Sequence, residues 1–264
     1  MESPVVMGIL NLTPDSFFDG GKYDKIEDAL LRVEQMKNEG AQIIDIGGFS
    51  SRPSAQMISV SEELDRIIPL LKEATQTYPN LIFSVDTFRS EVVDTIAKFT
   101  AIIVNDITAG KKDEKLIDCV SAHGFPYVLM HMQGSPETMQ VKPEYDDVRF
   151  DILKFFSNKL TELRKKGIDD IILDPGFGFG KTIEHNYAIL KNLELYSVFE
   201  LPILAGLSRK SMIYKVLKTK SEDALNGTTA LHWQALMQGA SILRVHDVKE
   251  AVQTITLFEH IKTS

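Results

Sequence analysis

The sequence predicts a (β/α)8 (TIM) barrel built by one domain, residues 1–264, and three observations lead to it. Short runs rich in Val, Ile and Leu recur eight times, amphipathic helical patterns alternate with them, and no low-complexity linker divides the chain. Most runs are almost continuously apolar, which is typical of parallel strands covered on both faces. An open doubly wound sheet is the alternative, but the segment Gly8-Ile9-Leu10-Asn11 lacks the GxGxxG turn usual after its first strand.

The predicted strands are, in chain order, residues 5–10, 43–46, 82–85, 101–104, 127–130, 171–173, 203–205 and 242–245. The predicted helices are residues 26–38, 64–71, 90–99, 114–123, 148–166, 184–195, 221–238 and 248–261. In the second helix, apolar residues fall at i, i+3, i+4 and i+7 behind a capping box from Ser59 to Glu62. Four helices are followed by a glycine that can stop them: Gly40, Gly124, Gly167 and Gly239.

Charge and cysteine content exclude several classes of protein. The chain has 37 Asp and Glu residues against 29 Lys and Arg residues, a formal charge of −8, and no long basic run. Because phosphates are neutralised by a basic face, nucleic acid and anionic membranes are not expected as partners. The single cysteine, Cys119, agrees with a reducing cytoplasm. The apolar stretch at 5–10 is too short for a signal peptide or a membrane span, so we expect a cytoplasmic protein.

Polar residues follow all eight predicted strands. They include, in chain order, Asn11, Asp45, Asp86, Asn105, His131, Asp174, Lys210 and Arg244, with polar neighbours beside several of them. In a barrel of this kind the active site is built at the carboxyl ends of the strands, from several strands at once. The pattern therefore predicts a binding face at that end.

The chemistry of these residues divides into two parts. Asp86 and Asp174 flank an apolar mouth, where a ligand with adjacent N–H donors, such as a pterin or guanine edge, would satisfy them. Cations from the last two strands predict an anion pocket: Arg209, Lys210, Arg244 and His246. Lys210 has an alternative role as the Schiff-base lysine of an aldolase-like enzyme.

Two glycine-rich loops complete the predicted site. The loop at 47–53 carries Arg52 and is expected to close on phosphate. The loop at 174–181 allows close backbone approach to a flat ligand, with Phe179 available for stacking. It is not a nucleotide P-loop, because Pro175 stands where that pattern needs its first glycine.

Metal-binding spacings are absent from the sequence. No HxH, HExxH or CxxC spacing occurs, so a protein-only zinc site is not expected. His123, His185, His232 and His260 are expected at the surface or in satisfied positions, and Trp233 in the core. Mg²⁺ can still arrive with a phosphorylated substrate, since it commonly uses one or two protein oxygens.

The motifs together resemble the dihydropteroate synthase family, from residue 6 to residue 247. They are MGILNLTPDSF at 7–17, IDIGG at 44–48, VDT at 85–87, NDI at 105–107, MHMQG at 130–134, DPGFGFGK at 174–181, SRKS at 208–211 and RVHD at 244–247. The resemblance implies a TIM-barrel homodimer of folate biosynthesis that requires Mg²⁺. It implies condensation of 6-hydroxymethyl-7,8-dihydropterin pyrophosphate with 4-aminobenzoate, with release of pyrophosphate, and inhibition by sulfonamides.

The resemblance also implies site residues. Pterin is held by Asp86, Asn105, Asp174 and Lys210 and lined by Ile107, Met130 and Phe179. Pyrophosphate is held by Asn11, Arg52, Arg244 and His246, with Asn11 also on the metal. Aminobenzoate is contacted by Ser51, Pro53, Phe179, Ser208 and Lys210. The residues implied in catalysis are Asp86, Lys210, Arg244 and His246.

One segment departs from the family pattern. The family commonly has S-T-R-P-G where this chain has Ser50-Ser51-Arg52-Pro53-Ser54, so aminobenzoate affinity and sulfonamide sensitivity transfer least directly. Two other functions compete with the synthase. One is a pterin-binding methyltransferase domain that serves a corrinoid protein, and the other is a catalytically idle paralogue that acts as a binding protein. The intact SRKS and RVHD motifs argue against the first, and the presence of Arg52, Lys210 and Arg244 argues against the second.

Overall fold

The computed structural model describes residues 3–12, 22–49, 57–134 and 143–264, without the side chains of 22–25, and places eight parallel strands in one sheet. The strands are β1 (Val5–Asn11), β2 (Ile43–Gly47), β3 (Ile82–Asp86), β4 (Ile103–Asp106), β5 (Tyr127–Met130), β6 (Ile171–Asp174), β7 (Leu204–Ala205) and β8 (Ile242–Val245). Their order is β6-β5-β4-β3-β2-β1-β8-β7. A parallel bridge between Leu173 and Ile203 brings β6 beside β7, so the barrel is nearly closed. The predicted barrel is confirmed over the doubly wound sheet.

Helices surround the barrel. They are α1 (Lys22–Glu39), α2 (Val60–Thr77), α3 (Ser90–Ile96), α4 (Leu116–His123), α5 (Val148–Lys165), α6 (Ile183–Lys191), α7 (Ser211–Tyr214), α8 (Leu225–Met237) and α9 (Val248–Thr263), with a 3-10 helix at Leu193–Phe199. Ser59 accepts a hydrogen bond from the backbone N–H of Glu62 at 3.1 Å, which confirms the predicted cap of α2. Gly124 ends α4 with a left-handed φ of 63°, as expected of a glycine stop. Across the described ranges, no helix has both the length and the apolarity needed to cross a bilayer.

Several element boundaries differ from the prediction, and one short helix was not predicted. Strand β4 starts at Ile103 rather than 101, because pairing of Ile103 with Ser84 sets its register and leaves Asn105 inside the strand. The predicted helix 221–238 begins only at Leu225. The four-residue helix α7 is too short to produce a hydrophobic period, so no sequence pattern predicted it.

The inward-facing side chains change from apolar to polar along the barrel axis. One apolar cluster takes a residue from each of seven strands: Met7, Ile43, Ile103, Val128, Ile172, Leu204 and Ile242. Side chains two positions apart on a strand share a face. Two positions further along, five of these strands carry Asp45, Asn105, Met130, Asp174 and Arg244. The apolar layer closes the barrel below, and the next layer forms the floor of a polar mouth.

Candidate functional site

Four neighbouring strands present one row of residues at the mouth. Asn11 pairs in register with Gly47, Gly47 with Asp86, and Asp86 with Asn105. Residues paired in register on parallel strands face the same way, so three predicted site residues share one wall. Asp86 and Asn105 are only 6% and 3% exposed, which makes their polar groups costly to leave unpaired.

Arg244 joins two buried carboxylates in this wall. Its Nε and Nη2 lie 2.7 and 2.6 Å from Oδ2 of Asp45, and its Nη2 lies 3.2 Å from Oδ2 of Asp86. The same Asp45 oxygen accepts a hydrogen bond from Nδ2 of Asn105 at 3.1 Å. Asp45 is completely buried and therefore fixes both Arg244 and Asn105. The sequence placed it among the polar residues at the strand ends but predicted no role for it; its place in the IDIGG motif and its charge within an apolar strand were the available signals.

The carboxyl group of Asp86 has a pKa near 7. Burial raises its pKa to about 7, against the opposing charge of Arg244 and with the support of the Asp45 carboxylate. Oδ1 of Asp86 and Oδ1 of Asp45 have no hydrogen-bond partner among the described residues. Each carboxylate thus keeps one free acceptor at the mouth, and a ligand with adjacent N–H donors is the chemistry that would satisfy Asp86.

Lys210 faces the opposite side of the mouth. Its Nζ donates a hydrogen bond to the carbonyl oxygen of Phe177 and lies 4.6 Å from the ring centroid of Phe179. Burial lowers the pKa of Lys210 to about 8, although the Asp174 carboxylate favours the charged form. Asp174 itself accepts a hydrogen bond from the backbone N–H of Gly176 at 2.7 Å, and burial raises its pKa. The predicted trio of Lys210, Asp174 and Phe179 is therefore brought together.

An apolar cluster covers the space between these two walls. Its buried members are Phe49, Phe88, Ile107, Met130 and Met132, with Ile58 and Phe179 packed against them. Phe49 and Phe88 meet edge to face with their ring centroids 5.3 Å apart. The structure thus joins the predicted Ile107, Met130 and Phe179 and adds two phenylalanines that sequence patterns did not single out. The combination suits a flat ligand with polar edges.

His246 and Ser208 form a pair beside Arg244. Nδ1 of His246 lies 3.1 Å from Oγ of Ser208, which also accepts from the backbone N–H of His246 at 3.3 Å. Desolvation and the nearby Arg244 cation lower the pKa of His246 to about 4, although its side chain reaches the surface. The direction alone implies a neutral imidazole at pH 7. A neutral imidazole can still donate a hydrogen bond to an anion, so the predicted place of His246 beside pyrophosphate stays a prediction.

The guanidinium of Arg209 is engaged by groups of the protein itself. Its Nε and Nη2 donate hydrogen bonds to the Asp247 carboxylate at 2.7 and 2.8 Å. Its Nη1 donates to the carbonyl oxygens of Ser221 and Glu222. A guanidinium occupied by a carboxylate and two carbonyls holds the loop after β7. Arg209 therefore serves the loop, and Arg244, Lys210 and His246 stay the predicted residues of the anion pocket.

Lys181 anchors the glycine-rich loop after β6. The side chain is 4% exposed, and its Nζ donates to the carbonyl oxygens of His131, Gly176 and Phe179 at 3.1, 2.8 and 2.9 Å. The His131 ring lies edge to face with Phe155, at 4.9 Å, and burial lowers its pKa to about 2. Lys181 and neutral His131 thus stabilise the loop that carries Phe179. Because Gly176 has no side chain, its backbone lies against the His131 carbonyl group of the protein itself.

Gly176→Ala should destabilise the fold much more than Gly124→Ala. Both glycines have left-handed φ, 69° and 63°. A Cβ on Gly176 would lie 2.0 Å from the His131 carbonyl oxygen, whereas one on Gly124 would meet nothing within 4 Å. Gly124→Ala should cost about 1 kcal/mol of unfolding free energy through φ alone. Gly176→Ala should cost at least about 2 kcal/mol more from the clash. Urea unfolding measures both, and equal losses would contradict the close approach.

Three predicted site residues lie outside the described part of the chain: Ser51, Arg52 and Pro53. The structure describes both flanks of their segment. Nη1 of Arg66 donates to the Gly48 carbonyl at 2.8 Å, and Nη2 of Arg89 donates to the Ile58 carbonyl at 2.5 Å. Arg89 also pairs with buried Glu63 at 2.7 Å. Two arginines therefore fix the ends of the segment, and the roles predicted within it stay predictions.

Comparison with known proteins points to one family. A family model described as pterin binding enzyme matches residues 7–246. Dihydropteroate synthase of Escherichia coli K12 is 45% identical over 261 residues, which are 98% of this chain and 92% of that protein. A Yersinia pestis dihydropteroate synthase with a sulfonamide drug superposes with a TM-score of 0.93 at 42% identity, covering 100% and 96% of the two chains. The Xanthomonas albilineans synthase in complex with 7,8-dihydropteroate gives 0.89 at 35% identity, covering 100% and 95%.

Proposed function

We propose a division of labour among the residues of this chain, which belongs to the pterin-binding enzyme family and, within it, to the dihydropteroate synthases. The chain condenses 6-hydroxymethyl-7,8-dihydropterin pyrophosphate with 4-aminobenzoate, giving 7,8-dihydropteroate and pyrophosphate. One observation carries the assignment of residues. Asp86, with a free carboxylate oxygen, and the Lys210 cation face an apolar cluster in a chain similar end to end to these synthases.

The pterin edge is recognised from two sides. Oδ1 of Asp86 accepts from ring N–H donors, and Asn105, held by Asp45, supplies an amide beside it. Asp174 and Lys210 complete the polar rim on the opposite side. Ile107, Met130 and Phe179 provide the apolar faces against which the ring system packs, which leaves the hydroxymethyl carbon towards Arg244.

Pyrophosphate leaves on the side of Arg244 and His246. Arg244 contributes a fixed positive charge, and neutral His246 contributes a hydrogen bond from its ring, oriented by Ser208. The residues present also suit Mg²⁺. The Asn11 amide oxygen lies beside Gly47 at the mouth, 3.1 Å from the position that a Cβ on Gly47 would take. Substrate phosphates can supply further oxygens to the ion. When bound, the ion neutralises charge on the departing pyrophosphate.

Bond breaking precedes attack. The carbon–oxygen bond to pyrophosphate breaks first, because the electron-rich pterin supports positive charge on the exocyclic methylene carbon. Asp86 stabilises that charge electrostatically from within the buried wall. The neutral amine of 4-aminobenzoate then forms the carbon–nitrogen bond and releases one proton to solvent. Ser208, Lys210 and Phe179 are the described residues that we assign to the aminobenzoate side; the same role for Ser51 and Pro53, outside the described residues, follows from the resemblance alone.

A coupled assay tests this function. Purified protein is mixed with Mg²⁺, 4-aminobenzoate and the dihydropterin pyrophosphate, and both products are followed. We expect pyrophosphate and dihydropteroate in equal amounts, with inhibition by a sulfonamide that competes with 4-aminobenzoate. Lys210→Met should lose at least about tenfold in kcat/KM, whereas Lys215→Met, on an exposed side chain nearby, should not. Absence of product at saturating substrate would refute the synthase and favour an idle binding protein.

The pH dependence of kcat/KM should be bell-shaped. Protonation of Asp86, whose pKa is about 7, removes the acceptor for the pterin, so activity should fall as the pH drops through 7. Deprotonation of Lys210, whose pKa is about 8, removes a cation, so activity should fall again above that value. The profile measured for dihydropterin pyrophosphate between about pH 5 and pH 10 reports these free-enzyme groups. An acid limb that persists in Asp86→Asn would assign the limb to another residue.

Two further properties are proposed from the resemblance. The first is a homodimer; exposed apolar side chains such as Val198, Val216, Leu217 and Met237 are available to an interface. Sedimentation equilibrium measures the mass in solution, and a monomer at micromolar concentration would refute it. The second is a cytoplasmic location, which rests on the single cysteine.

A further inference from the structure

A cluster of three metal-ligating side chains lies on the outer side of the barrel, apart from the mouth. Asp94 belongs to α3, and Cys119 and His123 belong to α4. The thiol of Cys119 donates to Oδ1 of Asp94 at 3.0 Å, and Nε2 of His123 lies 2.7 Å from the same oxygen. One ligand atom from each residue lies within 4.8 Å of the other two. The three groups therefore converge on one point between the two helices.

The helix geometry explains the convergence. Cys119 and His123 are four residues apart on α4, so their side chains lie on one face of the helix, about one turn apart. Asp94 is presented by the adjacent helix α3, which packs against α4. The His123 ring stacks on Phe125 with centroids 5.4 Å apart, which limits its orientation. Two ligands come from one helix turn and the third from its neighbour.

We propose that Asp94, Cys119 and His123 form a binding site for one Zn²⁺ or a similarly thiophilic divalent cation. Thiolate, imidazole and carboxylate are the three ligand types that zinc accepts in proteins, and water can complete a tetrahedral shell. The ion replaces the thiol proton, which is released to solvent, so a sulfur–metal bond forms as the S–H bond breaks. Hard ions such as Mg²⁺ prefer oxygen ligands and would not select this set.

Exposure makes the site reachable. The side chains of Asp94 and His123 are 59% and 33% exposed, while Cys119 lies beneath them and is 9% exposed as a residue. Oδ1 of the exposed Asp94 carboxylate lies between the thiol and the imidazole, and it would exchange its hydrogen bonds to both for a bond to the ion. Sequence spacing alone could not show this site, because the third ligand lies 25 residues before Cys119.

The site is independent of the proposed reaction. His123 ends α4, which leads back to the amino ends of the strands, opposite the catalytic mouth. Zinc should therefore tie α3 to α4 and raise the thermal unfolding temperature of the protein. Turnover with Mg²⁺ should stay unchanged when this site is filled.

Cobalt and zinc titrations of the untagged, chelator-treated protein test the proposal. Wild type should bind one Co²⁺ with a thiolate-to-cobalt charge-transfer band, and Zn²⁺ should displace it. Cys119→Ser should lose the band, and His123→Gln and Asp94→Asn should each weaken Zn²⁺ binding by at least about tenfold. His260→Gln, which alters a histidine near the end of α9, is the matched control and should bind as wild type does.

Two outcomes would overturn the site. Absence of a saturable charge-transfer band in wild type would show that the three side chains only hydrogen-bond to one another. Equal Zn²⁺ affinity in wild type and in His123→Gln would place the ion elsewhere. His123→Gln keeps the test informative if Cys119→Ser fails to fold, because His123 is partly exposed and its loss leaves the core intact.

Discussion

Replacing Asp86 by asparagine should reduce turnover by about 10²- to 10³-fold while the protein stays folded. The side chain keeps its volume and one acceptor oxygen, but it loses the negative charge that stabilises the cationic pterin. Arg244 retains its contacts with Asp45 at 2.7 and 2.6 Å, so no buried guanidinium is left without a partner. The unfolding free energy should therefore remain within about 1 kcal/mol of wild type.

The raised pKa of Asp86 determines how the unfolding free energy of wild type depends on pH. The folded-state pKa is about 7 and the ordinary value is 3.8, so the folded protein binds more protons than the unfolded chain between these values. The contribution of Asp86 to the unfolding free energy accordingly falls as the pH rises from about 4 to about 7, and stays low above that. Asp86→Asn removes this dependence. At pH 8 the variant should be at least as stable as wild type, because it no longer buries an ionised carboxylate.

Asp106→Asn is the matched control, because Asp106 is a second fully buried aspartate in this part of the barrel. Its carboxylate accepts from Thr108 N–H and hydroxyl, from Gly110 N–H and from the Tyr127 hydroxyl, all at 2.6 to 2.7 Å. An amide there presents N–H groups to these donors, so the loss should be in stability. We expect turnover loss without unfolding in Asp86→Asn and the reverse in Asp106→Asn. Unchanged pyrophosphate release in Asp86→Asn would refute the electrostatic role.

The fold was predictable because its signals are local. Eight apolar runs with helical patterns between them specify the barrel, and the rule that barrel chemistry lies at the carboxyl ends of strands located the site. Asp86, Asn105, Asp174 and Arg244 were found from that rule and from the family motifs. Boundaries were less predictable. Strand β4 is displaced by two residues because its register is set by pairing with β3, which its own sequence does not encode.

The roles of individual polar residues depended on contacts that only the fold creates. Arg209 and Arg244 are the same residue type in sequence, yet Arg209 pairs with Asp247 and two loop carbonyls, whereas Arg244 pairs with Asp45 and Asp86 in the wall of the mouth. Lys181 stood in a glycine-rich loop and in a family motif, and no role was predicted for it. Its three carbonyl partners come from its own loop and from His131 after the neighbouring strand, up to 50 residues away. A charge in a sequence does not reveal its partner, and the partner decides whether it binds substrate or stabilises the loop.

The role of Asp45 likewise depends on its partners. Asp45→Asn should reduce kcat/KM nearly as much as Asp86→Asn does. Asp45 is placed to act through Arg244 and Asn105, both of which it holds through a single oxygen. With an amide in that position, Arg244 loses its shorter ion pair, and Asp86 alone then sets the position of the guanidinium. Misplacement of a guanidinium by about 1 Å is enough to cost about 10²-fold in kcat/KM.

A purely structural role for Asp45 would not move the pH profile, whereas the positioning role should. The Asp45 carboxylate raises the pKa of Asp86, so its removal should shift the acid limb of kcat/KM below pH 7. Ser84→Ala is the control, because Ser84 pairs in register with Asp45, is fully buried, and its hydroxyl has no hydrogen-bond partner among the described residues. It should leave both the rate and the limb unchanged. A slow Asp45→Asn enzyme with its limb still near 7 would show that Asp45 supports the fold without tuning Asp86; a shifted limb would place it in the electrostatic network of the site.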